Sequence, residues 1–231
     1  MENKSLSALR ILIDLREVVQ RQRIAFGNRL AAIERGDDTV DNRTLAILSD
    51  WYDFFLSAEK RIDGEIKSLA EEIEIIRIAQ SVKGVGPILI AKVVALIRDI
   101  SKSPTVSSLW RFAGYAVVDG HREYPQKGKR RPYSLRLKSA AFVLAQSLIR
   151  RPGPYRNEYD KAKEHYQATH PEWTRGHIHL AAMRKVTKLF LAHLWEIWRK
   201  LEGLPTREVY VVEKLGHTHI KRPVDYGWPE I

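Results

Sequence analysis

The sequence contains no cysteine, which excludes disulfide bonds, thiolate metal sites and cysteine nucleophiles together. It also lacks any apolar run near the ~18 residues that a membrane-crossing helix requires. Glu2, Asn3 and Lys4 do not lead into an apolar segment, so the expectation is a soluble, cytoplasmic chain with no membrane association. Acidic residues are scarce in one region only. Residues 1–80 hold 12 Lys/Arg against 15 Asp/Glu, a balance of −3, whereas residues 81–231 hold 27 against 13, a balance of +14. A cationic C-terminal two thirds favours an anionic polymer as partner. Nucleic acid is preferred to a membrane surface because the basic residues do not follow one amphipathic helix.

What is present is enough apolar material for a buried core, 44% of 231 residues. Leu9, Leu12, Val19, Phe26, Leu30 and Ile33 form a helical stripe interrupted by Arg16 and Arg23, ending near Gly36-Asp37-Asp38. Leu48, Tyr52, Phe55, Ile62, Ile66, Leu69, Ile73 and Ile76 alternate by three and four with Glu59 out of character, a coiled-coil pattern. Such a seam needs a partner, so homo-oligomerisation is expected, the alternative being an antiparallel hairpin that packs on itself. Asp119-Gly120 between short β-prone runs predicts a tight hairpin, and helices are expected at roughly 133–151, 155–169 and 176–201. The fold class that follows is mainly α. A coiled-coil helical arm (1–78) precedes a domain with a helix-hairpin-helix, a small β-hairpin and a C-terminal helical bundle (79–204), and a mostly irregular tail (205–231) with one short strand at Val209–Val212 ends it.

Two segments carry the binding chemistry. Val82-Lys83-Gly84-Val85-Gly86-Pro87 between helical runs has the pattern of a helix-hairpin-helix. Its glycines permit a turn that bares backbone amides at a helix start, where the dipole favours an anion. Val85 is expected to point inward, Pro87 to occupy the first helical position and Ala91 to allow close helix approach, with Lys83 and Lys92 adding charge. From Arg122 to Lys138, seven cations (Arg122, Lys127, Lys129, Arg130, Arg131, Arg136, Lys138) face one acid, Glu123, with Tyr124 and Tyr133 interleaved, a pattern suited to following a phosphate backbone. Contacts of this kind carry no base information.

The order of these segments, with Leu109-Trp110-Arg111-Phe112-Ala113-Gly114-Tyr115, Lys127-Gly128-Lys129-Arg130, Arg175-Gly176 and Ala182-Met183-Arg184-Lys185-Val186, resembles the coiled-coil and transposase part of DEDD-type insertion-sequence transposases. This family includes the Piv-like invertases and the bridge-RNA-guided recombinases. The resemblance implies DNA strand exchange in an oligomer, with structured RNA as an optional partner. Two departures matter. The family's RuvC-like acids have no counterpart in this sequence, so no cofactor is evident, and Mg²⁺ enters only if a partner supplies such a domain. Where the family carries a Ser-Gly pair with a serine proposed as nucleophile, this chain reads Tyr124-Pro125-Gln126-Lys127-Gly128. Ser134, between Arg131 and Arg136, is the nearest substitute, and capping a helix is its plainer role.

The remaining candidates point to structure. His177/His179 and His217/His219 lack nearby ligands and read as surface histidines, so no metal site is expected. Asp119 is explained by turn chemistry and Glu158 with Asp160 by helix solvation, while Trp173, Trp195 and Trp198 read as packing residues. The leading expectation is a DNA-binding protein of transposase type that grips duplex or branched DNA through its backbone. The alternatives are an active recombinase using Ser134 and a coiled-coil assembly protein.

Overall fold

The computed structural model describes residues 2–118, 121–122, 127–129, 131–206 and 221–231. The fold is mainly α, and the chain divides into two compact units, residues 1–73 and 74–231.

The first unit is a helical hairpin. α1 (Glu2–Glu34) ends at Gly36, whose φ of +79° suits only a residue without a β-carbon, and α2 (Asn42–Glu72) starts under an Asp41 cap. The helices run antiparallel: Arg16 meets Asp63, Arg23 meets Glu59 at 2.5 Å, and the Phe26 and Phe55 rings lie 5.6 Å apart. The seam that was expected to require a second chain is therefore closed within the chain itself. The polar residues that look like faults in each stripe are each other's partners. Glu59, 6% exposed, accepts from Gln20 at 2.9 Å and pairs with both Arg16 and Arg23.

The second unit starts after a break at Ile73, where an extended backbone separates α2 from α3 (Glu74–Ala79). It continues with α4 (Pro87–Ile97), α5 (Val106–Phe112), the strands β1 (Val117–Val118) and β2 (His121–Arg122), α6 (Leu135–Ile149) and α7 (Pro154–Thr169). α8 (Arg175–Leu201) is the central post. Its buried face presents Phe190, Leu194 and Trp195, and the Trp195 indole donates to the Ser103 carbonyl at 2.7 Å. β1 and β2 pair antiparallel with Val118 opposite His121; the expected turn residues Asp119 and Gly120 lie outside the described residues. So do Val209–Val212 and His217/His219.

The end of the chain does more than an irregular tail. Tyr226 and Trp228 enter the core, and the Trp228 indole donates to the Tyr155 hydroxyl at 2.9 Å. That hydroxyl lies 2.7 Å from His193 Nδ1, and His193 Nε2 lies 2.9 Å from the Lys221 carbonyl. A carbonyl can only accept, so Nε2 carries the proton and Tyr155 donates to Nδ1. Glu158, expected on a wet helix face, is instead buried, accepting from the Tyr226 hydroxyl at 3.0 Å and pairing with Lys221. The reason is local. α7 turns this carboxylate toward the C-terminal segment, which supplies the compensating cation. Burial alone would raise its pKa, and Lys221 with Tyr226 outweighs that and holds it below the ordinary value.

Candidate nucleic-acid interface

A tight glycine turn joins α3 to α4. Gly84 adopts φ +97°, and a β-carbon there would sit 3.1 Å from the Ser147 carbonyl oxygen and from Leu148 Cα, so both the conformation and the close approach require glycine. Val85 is buried and its amide donates to the Val82 carbonyl at 3.0 Å, which gives it the anchoring role. Gly86 is the N-cap of α4 with Pro87 in the first turn, and Ala91 is fully buried between helices. Among the described residues, neither the Gly84 nor the Gly86 amide is donated within the chain. Lys83 is exposed on the turn, and Lys92 is half-buried on α4. From the other side the C-terminal segment braces the turn, the Ser81 hydroxyl donating to the Gly227 carbonyl at 3.0 Å.

The basic stretch is organised around the end of α5. Ala113-Gly114-Tyr115 is a Schellman stop: the Gly114 amide donates to the Arg111 carbonyl at 3.0 Å and the Tyr115 amide to the Trp110 carbonyl at 2.7 Å, with Gly114 at φ +75°. A β-carbon on Gly114 would lie 2.8 Å from the Tyr133 ring, and Lys138 Nζ sits 4.5 Å above that ring's centre. The Ser134 amide donates to the Phe112 carbonyl at 2.9 Å, fixing the start of α6 on the end of α5. The Ser134 hydroxyl accepts the Leu137 amide at 3.2 Å as the cap of α6. Tyr115, pushed up to about 12 by burial, donates its hydroxyl to the Lys138 carbonyl at 3.0 Å. Arg184 on α8 completes the junction, one nitrogen donating to the carbonyls of Tyr115 and Ala116 at 2.6 and 3.0 Å.

Lys127, Lys129, Arg131 and Arg136 are exposed. The Arg122 side chain and all of Arg130 lie outside the described residues. The turn and the basic stretch do not share one pocket. Gly84 lies against Ser147 and Leu148 near the last turn of α6, whereas Ser134 caps its first, and the intervening helix is about 20 Å long at 1.5 Å per residue. Arg150 and Arg151, two and three residues beyond Leu148, which faces Gly84, are exposed. Residue order alone does not relate these cations to a turn some 65 positions earlier.

The histidine pair resolves into two structural roles. His177 stacks on Trp173 at 4.0 Å, and His179 Nδ1 lies 2.6 Å from the Tyr159 hydroxyl. Among the described residues no cluster of His, Asp or Glu is arranged to hold a metal, and no helix is long and apolar enough to cross a membrane.

The stretch from α3 into α7, which contains both the turn and the Ala-Gly-Tyr stop, decides the comparison with known proteins. Residues 76–161 match the transposase IS116/IS110/IS902 family. The chain thus carries a transposase-type region. It is also similar to an uncharacterized 44.8 kDa protein of insertion element IS116 from Streptomyces clavuligerus, 27% identical over 164 residues, which cover 69% of this chain and 39% of that one. The chain spans about two fifths of that relative's length. Within the matched region, Gly84 and Gly114 combine a positive φ with close neighbours, the one setting the α3–α4 turn and the other stopping α5.

Proposed function

We propose that this chain is a DNA-contacting part of a transposase, holding the DNA backbone in transposition or recombination at two places: the Gly84–Gly86 turn, and the basic stretch at the start of α6. The observation that carries the reading is the pair of amides on Gly84 and Gly86 at the start of α4, undonated among the described residues, beside exposed Lys83. Amides there meet an anion with no reorganisation of the turn, and the helix dipole adds to the attraction. Lys127, Lys129, Arg131, Arg136 and Lys138, with Arg122 and Arg130, supply the second contact, and Lys92 adds charge behind the first. Two contacts about 20 Å apart along α6 suit a duplex or branched DNA better than a small anion.

A salt titration of binding to duplex DNA tests this. About six phosphate contacts give a slope near −5 in log K against log salt. No binding at low salt contradicts the proposal, and a shallow slope contradicts the backbone-contact mode.

The chain also carries an exposed apolar stripe on α1, Ile11, Leu15 and Val18, spaced by four and three and left outside the closed seam. This stripe supports self-association as the route by which the transposase region is presented to DNA in pairs. In the alternative with Ser134 as nucleophile, a covalent DNA adduct forms on nicked substrates and disappears in Ser134→Ala.

A further inference from the structure

Lys188 is placed where a lysine is hard to justify by packing alone. Its ammonium lies 4.0 Å above the Trp110 ring, and the Trp110 indole in turn donates to the Lys188 carbonyl at 2.9 Å. The side chain is half-buried, and among the described residues no carboxylate pairs with it. Arg184, one helical turn earlier on the same face of α8, brings a second positive charge close by. Burial first, and the Arg184 guanidinium second, lower the Lys188 pKa. A methionine would cover the indole as well without those costs. A retained cation that is partly desolvated, beside a like charge and without an acid, is what an anion-binding point looks like before its anion arrives.

We infer that Lys188, held over Trp110 next to Arg184, is a further contact for a DNA phosphodiester, in addition to the turn and the basic stretch. The inference rests on the proposed DNA-binding function. Arg184 is already engaged with the Tyr115 and Ala116 carbonyls, so it fixes the edge of the site while Lys188 supplies the contact. The aromatic base under the ammonium holds it in one place and reduces the freedom lost on binding.

The test compares wild type, Lys188→Met, Lys188→Arg and Lys83→Ala, each titrated with duplex DNA over a salt series and melted alone. Lys188→Met is expected to melt no lower than wild type, to bind about tenfold more weakly, and to show a salt slope shallower by about 0.9. Lys188→Arg keeps the charge and retains the affinity. The inference is overturned if Lys188→Met binds as wild type does while Lys83→Ala is weakened, which leaves the DNA-binding function standing. A Lys188→Met chain that melts lower or fails to fold also overturns it, since the ammonium is then a packing element. Failure of wild type to bind removes the inference and the proposed function together.

Discussion

Glu59 is held almost wholly out of water between two arginines and a glutamine, and its removal leaves Arg23 without a carboxylate and Arg16 with Asp63 alone. Glu59→Ala is expected to destabilise the helical hairpin by about 3 kcal/mol in urea denaturation, the lower end of the range for breaking a buried pair because both arginines keep some solvent contact. At His193 the effect depends on pH. Burial lowers its pKa from 6.5 to about 4, so the unfolded chain takes up a proton before the folded one does. The stability conferred by a neutral His193 is full above pH 6.5 and is lost as pH falls toward 4, in total about 3 kcal/mol. The depressed Glu158 acts in the same direction at lower pH, its contribution disappearing as the carboxylate protonates. Denaturation midpoints measured from pH 7 to pH 4 should fall steadily, and a His193→Gln chain should show a flatter profile. An unchanged slope in that variant contradicts the assignment.

At the scale of elements, two turns carry the geometry and each depends on one glycine. Gly84→Ala combines a left-handed φ with a β-carbon 3.1 Å from backbone atoms of α6, so a loss of about 2 kcal/mol and a displaced hairpin are expected. Gly86→Ala has ordinary φ and open space, so its stability should stay within about 0.5 kcal/mol of wild type. Thermal melts of the two variants check the contrast, and equal losses contradict it. These turns also mark how far the sequence could be read. The turn between α3 and α4 was legible because Gly-x-Gly-Pro between two apolar runs fits few other local structures, and α8 was legible from a long apolar stripe. The Ala-Gly-Tyr segment was visible as a motif but not as a Schellman stop, because that role depends on bonds from Gly114 and Tyr115 back into a seven-residue helix too short to show periodicity. Nor did local pattern show that Glu158 is buried, since Lys221 and Tyr226, which compensate it, come from far along the chain.

Across the whole molecule, charge divides as the units do. Residues 1–73 carry 11 Lys/Arg and 14 Asp/Glu, a balance of −3, while residues 74–231 carry 28 and 14, a balance of +14. Under the proposed function, DNA attraction belongs to the second unit, and the exposed Ile11, Leu15 and Val18 of the first are the surface proposed for association. Light scattering on the eluting protein is expected to give a multiple of the chain mass that drops to one chain in Leu15→Glu/Val18→Glu, with DNA affinity per chain reduced and the salt slope of each chain unchanged. A mass indifferent to those changes contradicts association through this stripe. The central claim concerns two amides, and amide hydrogen exchange with and without duplex DNA tests it most directly. Gly84 and Gly86 should exchange rapidly in the free protein and slow on DNA binding, while Val85, already bonded to Val82, changes little. Exchange at Gly84 and Gly86 that stays the same when DNA is bound would contradict the account.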